Sequence, residues 1–194
     1  IDEDAVKFAG LIAIYLPMHT ATRLAIEVLP KIKNINPSAH LAFYGLYASI
    51  NKDLLHSLGA KTIISGEFED GLLQLYKQLL ESTFVSDSGL ISLKKQKFRK
   101  PKRSDLPNLD KYSKLIKTKD QSITVGYTES TRGCKHICRH CPVVPVYNGR
   151  FFVVQPDVVM EDIRQQVEAG AEHITFGDPD FFNGPGHALR LVES

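Results

Sequence analysis

The sequence predicts an α/β fold: a doubly wound parallel sheet unit, then the opening of a larger parallel (βα) barrel or sheet. Three observations carry this expectation. Short apolar runs of strand length alternate with helix-period stretches over residues 1–82. Residues 83–121 break that rhythm with a run of bases, two prolines and no clear period. A strand-helix-strand pattern resumes over residues 122–194.

In the first segment, Gly10 to Leu16 is an apolar run closed by Pro17, as in a buried parallel strand. From Thr20 to Lys33, Ala21, Leu24, Ala25, Val28, Leu29 and Ile32 recur at helical spacing, with Thr20 or Thr22 as the expected cap. Pro30 is expected to bend or end that helix. His19 precedes it and reads as a turn histidine. His40 to Tyr44 forms a second strand, Asn51 to Leu58 a short helix closed by Gly59, and Lys61 to Ser65 a third strand. Leu72 to Leu80 is helical. In such sheets ligands sit beyond the carboxyl ends of the strands, which places Gly45 and Gly66-Glu67 at the ligand end.

Residues 83–121 read as a basic linker. Lys94, Lys95, Lys97, Arg99, Lys100, Lys102 and Arg103 put seven bases into ten residues. Removing those seven from the chain's 24 leaves 17 bases against 22 acids, so the net charge of +2 belongs to this segment. A solvated linker is the expectation; nucleic-acid binding by residues 94–103 is the alternative, weakened by the lack of flanking aromatics beyond Phe98. Residues 104–112 look like a strap that packs its leucines and tyrosine onto a neighbour.

In the last segment, Ser122 to Tyr127 is a strand and a loop follows through Arg150. Gln155-Pro156-Asp157 opens a helix whose expected buried face is Val158, Val159, Ile163, Val167 and Ala169. His173 to Phe176 is the next strand, followed at once by Gly177-Asp178-Pro179-Asp180, and a helix starts at Gly186. About 70 residues are too few to close a barrel of roughly 200 residues or more. The chain begins at Ile1 rather than Met, and the expectation is a segment of a longer protein, cut at both ends.

The chain has 43% hydrophobic and 24% charged residues, as in globular proteins, and no apolar run of membrane-spanning length, so no membrane partner is expected. All three cysteines lie in Cys134-Lys135-His136-Ile137-Cys138-Arg139-His140-Cys141. An odd count in one cluster argues against a disulfide framework and for a reducing, cytoplasmic compartment. Three thiolates from one loop suit an iron-sulfur cluster. A four-iron cluster normally takes four ligands, so one iron would stay open to a non-protein group. A structural zinc site on the same cysteines with His136 or His140 is the alternative.

The cysteine spacing after a strand resembles the signature of the radical S-adenosylmethionine (SAM) superfamily. The resemblance implies a [4Fe-4S] cluster on Cys134, Cys138 and Cys141. It implies that the open iron chelates SAM, whose reductive cleavage gives a deoxyadenosyl radical. It further implies an unknown substrate and an electron donor such as flavodoxin or ferredoxin. No side chain is assigned as acid, base or nucleophile, since the cofactors do the chemistry. His140 stands where the family often has an aromatic residue, and packs over the cluster or bonds SAM by that likeness. Gly177 and Asp178 stand where the family often places a Gly-Gly-Glu element that binds the SAM amino group.

Residues 1–82 resemble the Rossmann-like cobalamin-binding domain that precedes many radical SAM domains. Ser65-Gly66-Glu67-Phe68-Glu69 is like its closing Gly-Glu-x-Glu segment, and Gly45 sits where a glycine pair commonly meets the corrin. By this likeness Gly45, Gly66 and Glu67 are cofactor-contacting residues. The Asp-x-His-x-x-Gly element that supplies an axial histidine is absent. The turn Pro17–Thr20 and the Gly-Asp-Pro-Asp-Phe segment resemble an uncharacterised subgroup of the superfamily.

Overall fold

The structure is a computed structural model and describes residues 1–83 and 90–194. Residues 84–89, the first part of the expected linker, lie outside the described residues. The chain divides into two compact units. The first contains Ile1–Lys95 and Cys138–Tyr147; the second contains Gln96–Ile137 and Asn148–Ser194.

The first unit is an α/β layer built on a parallel sheet. Helix α1 (Glu3–Phe8) leads into β1 (Leu11–Tyr15), α2 (His19–Ile35), β2 (His40–Tyr44), α3 (Leu46–Ile50), α4 (Lys52–Ser57), β3 (Thr62–Gly66), α5 (Glu69–Leu80) and β4 (Leu90–Ser92). The four strands pair in parallel in the order β1-β2-β3-β4. Strands β2 and β3 are buried along nearly their whole length, with apolar centres at 41–43 and 63–64 and buried polar residues His40, Thr62 and Ser65 beside them. Their alternation feeds two cores. Leu41, Phe43 and Ile63 pack with Ala25 and Leu29 of α2 and Leu55 of α4. Ala42 and Ile64 pack on the other side with Leu75 of α5.

Local expectations needed adjustment here. Helix α2 begins at His19 with no side-chain cap; Thr22 instead bonds back to the Met18 carbonyl. Pro30 does not end the helix, which runs on to Ile35, and the residue itself is exposed. The single helix expected over residues 51–58 is preceded by α3, with Asn51 between α3 and α4. Helix α5 starts three residues earlier than expected, with Glu69 and Asp70 in its first turn.

In the second unit, β5 (Lys114–Thr118) pairs antiparallel with β6 (Gln121–Thr128), which pairs in parallel with β9 (His173–Phe176). Between them come β7 (Thr131–Gly133), the cysteine loop, α6 (Val144–Tyr147, part of the first unit), β8 (Phe151–Val153) and α7 (Pro156–Glu168). Strand β7 pairs antiparallel with β8. Helix α8 (Pro185–Val192) follows β9. Val154, Val158, Val159 and Leu191 form the core, packed by Phe98, Ile163, Phe176 and Phe181.

The buried face of α7 differs from the expected one. Val167 is exposed, whereas Asp162 and Gln166 are buried. Both polar side chains are satisfied. Arg103 Nε and Nη2 donate to the two Asp162 oxygens at 2.7 and 2.8 Å, and Arg103 Nη2 also donates to the Tyr127 carbonyl. Gln166 accepts the Tyr127 N–H at 2.7 Å and donates to Asp162. The segment expected to be a basic linker carries β4, β5 and two 3-10 turns, Arg103–Asp105 and Leu109–Lys111. What docks the strap is polar: Gln165 accepts the Arg103 N–H and donates to the Pro101 carbonyl, while Leu106 and Tyr112 stay about half exposed. Among the described residues, no helix is long and apolar enough to cross a membrane.

Candidate functional site

The cysteine loop starts where β7 ends. Gly133 has φ +73°, in the left-handed region open to glycine, and turns the chain into Cys134. The three thiols are unpaired; Cys134 and Cys141 are partly buried and Cys138 is exposed. Two features suit a thiolate-bound group. The His136 N–H points at the Cys134 sulfur at 3.4 Å, and the Cys138 carbonyl accepts the Cys141 N–H at 3.3 Å, closing a tight turn. Amide hydrogen bonds to sulfur are one of the means by which a protein tunes a cluster. The donor set thus fits a cluster in kind. Its placement is open: among the described residues, no three His, Cys, Asp or Glu side chains are gathered to hold a metal ion. Cys134 belongs to the second unit, and Cys138, His140 and Cys141 to the first. His140 is exposed in the turn between the last two cysteines.

The segment after β9 is drawn to the start of this loop. Asp178 accepts the Ser130 N–H at 3.2 Å, the Ser130 hydroxyl at 2.8 Å and the Thr131 hydroxyl. Asn183 accepts the Lys135 N–H with its side chain and the Lys135 ammonium with its carbonyl. Asp180 holds the Asn183 amide and the Phe182 N–H, and lies 3.6 Å from His136 Nε2. A Cβ at Gly177 would meet the hydroxyl tip of the Tyr127 side chain, so Tyr127 would have to move to admit one. That hydroxyl is pushed above the usual phenol range, first by burial and then by the charges of Glu129 and Asp178.

At the ligand end of the first unit, the predicted residues meet protein rather than open space. A Cβ on Gly45 would lie 2.8 Å from the Tyr15 ring, and one on Gly66 2.1 Å from the Ser92 carbonyl oxygen. Glu67 is fully buried and accepts the Tyr147 hydroxyl at 3.1 Å. Tyr15, Tyr44 and Phe68, at the ends of β1, β2 and β3, form a mutual ring cluster with centroids 5.0–5.6 Å apart. Gly45, Gly66 and Glu67 are thus each packed by protein on at least one side. Sequence reasoning passed over this aromatic cluster, and also Ser130, Thr131, Lys135 and Asn183. Tyr15 and Tyr44 share the last register position of β1 and β2, a signal available once strand ends are known, whereas Phe68 lies two residues past the end of β3. The polar grip has no sequence signal, since its partners lie about 48 residues apart.

No protein-family model and no curated protein matches the sequence. Two solved structures of the radical S-adenosylmethionine methyltransferase TsrM from Kitasatospora setae are similar in fold. One has tryptophan substrate and the SAM analogue aza-SAM bound; the other has cobalamin and a [4Fe-4S] cluster bound. Each superposes with a TM-score of 0.67 over 95% of this chain, at 15% and 14% identity. The chain spans 39% and 40% of those chains. The likeness is one of fold: the chain's α/β architecture is similar to part of these structures.

Proposed function

We propose that this chain carries the cluster-bearing front of a radical SAM enzyme, with Cys134, Cys138 and Cys141 as the cluster ligands. The observation that carries the reading is positional. An unpaired three-cysteine loop lies between β6 and α7, in a fold similar to that of an enzyme solved with a [4Fe-4S] cluster and with a SAM analogue. The cluster, when bound, would supply an electron to a sulfonium held beside it. The protein's own work is to present three thiolates, to donate an amide to Cys134, and to shape the surroundings through Tyr127, Glu129 and the segment after β9. SAM binding near Gly177 and His140 belongs to this reading, as do an external electron donor, a cytoplasmic setting and the absence of a nucleic-acid partner. The substrate is a molecule of undefined class.

Anaerobic reconstitution with iron and sulfide tests it. The expected result is about four irons and four sulfides per chain, with a broad absorption band near ~400 nm of the kind thiolate-bound iron gives. Serine at any of the three cysteine positions should lower the iron content. Release of deoxyadenosine from SAM under reduction would extend the result to catalysis. One tightly held zinc and no cluster would instead make the loop a structural metal module.

A further inference from the structure

We infer that Asp178 is a positioning residue that clamps the start of the cysteine loop. An ionised carboxylate offers about four acceptor sites. Three of those at Asp178 are already taken by Ser130 N–H, Ser130 Oγ and Thr131 Oγ1, and Ser130 and Thr131 are essentially unexposed. An added ammonium group would have only the one remaining acceptor site, on a carboxylate whose other sites are fixed by buried protein donors. The same stretch of loop is gripped twice more. Asn183 takes the Lys135 N–H and is itself held by Asp180, and the buried His187 Nε2 donates to the Ser130 carbonyl at 3.1 Å.

The consequence is selective. Every grip falls on residues 130–136, which bracket Cys134, and all of these partners lie in the second unit with it. Residues 138–141 bond to none of the three gripping side chains. The clamp thus sets the approach of one thiolate and leaves the others to the rest of the loop. It accounts for the Gly177–Asn183 segment: Gly177 lets the chain pass beneath Tyr127, Asp178 holds β7, and Asn183 holds Lys135. The clamp is a statement about the metal-free chain. Its bearing on a cluster rests on the function proposed above.

The test is the alkylation rate of each cysteine in the metal-free chain, read peptide by peptide by mass spectrometry with N-ethylmaleimide. Asp178→Asn should raise the rate at Cys134 about tenfold, as when a local opening equilibrium loses one charge-assisted hydrogen bond. The rates at Cys138 and Cys141 serve as internal references and should stay within about twofold. Asn183→Ala removes the second grip without touching Asp178, and should act in the same direction if Asp178→Asn fails to fold. Unchanged Cys134 labelling in a folded variant overturns the clamp, as does an equal rise at all three cysteines. Weakened SAM binding with unchanged labelling would return Asp178 to the SAM amino group. A wild-type chain that takes up no cluster defeats the proposed function and leaves the labelling result intact.

Discussion

Gly66 and Gly177 each precede an acid at the end of a parallel strand, and a side chain at each would meet a different obstacle. At Gly66 the obstacle is the Ser92 backbone, 2.1 Å from a built Cβ, and φ is +75°. At Gly177 it is the tip of Tyr127, a side chain that is 52% exposed and able to swing away. Gly66→Ala should therefore cost about 2–4 kcal/mol in urea unfolding, combining overpacking with left-handed strain. Gly177→Ala should cost less, and Tyr127→Ala in the same chain should recover most of the loss. A rescue of Gly66→Ala by Tyr127→Ala would contradict this geometry.

Tyr127 also gives the chain an alkaline weakness. Its phenol is held above the ordinary value near 10 by burial, with Glu129 and Asp178 adding to the shift. Tyr44 is raised in the same way, by burial and then by Glu69. A raised native pKa means that the folded chain binds more protons than the unfolded one once pH exceeds about 10. Stability from these phenols is complete below that pH and is lost as pH climbs through the native value. The urea midpoint should hold steady up to about pH 9 and then fall, and Tyr127→Phe should flatten the fall. An equally steep loss in Tyr127→Phe would place the alkaline titration elsewhere.

At the scale of elements, the strap and α7 form one polar joint. Arg103 is about a quarter exposed and Asp162 is nearly buried, and their contact is bidentate. Removing one partner of a fully buried pair costs about 3–5 kcal/mol, and the partial exposure of Arg103 reduces this to about 2–3 kcal/mol. Arg103→Ala should show that loss in chemical unfolding and should open residues 96–112 to protease. Arg103→Lys should recover only part of it, because an ammonium cannot match the fork geometry. This joint was illegible beforehand. In the sequence Arg103 is the last base of a charged run, and Asp162 and Gln166 look like the solvent side of α7. Periodicity assigned the buried face of α7 by hydrophobicity alone, so it chose Val167 over Gln166. Strand β5 was missed for another reason: its only apolar residues, Leu115 and Ile116, are adjacent and show no strand alternation. The central strands β2 and β3 were legible because a parallel strand covered on both faces carries consecutive apolar residues at its centre, here Leu41 to Phe43 and Ile63-Ile64.

At the scale of the whole molecule, the chain pairs a helix-covered parallel sheet with a second α/β unit, and spans about two fifths of the structures it resembles. The loop with all three cysteines passes from the second unit to the first between Ile137 and Cys138. In the reconstitution experiment, cluster uptake should therefore protect residues 134–141 from protease, since gathering three thiolates on one inorganic centre orders the loop between them. The sequence by itself determined the α/β class, the order β1-α2-β2-α4-β3-α5 within the first 82 residues and the chemical kind of the candidate metal ligands. Those properties follow from local spacing: apolar runs, helical periods and thiols within eight residues. Only the tertiary structure decided that Asp178, Asn183 and Glu67 bond to the protein itself, that the basic segment is docked through Arg103, and that Gly45 and Gly66 face side chain and backbone. Hydrogen bonds between residues dozens of positions apart depend on how elements pack, and no local pattern records that.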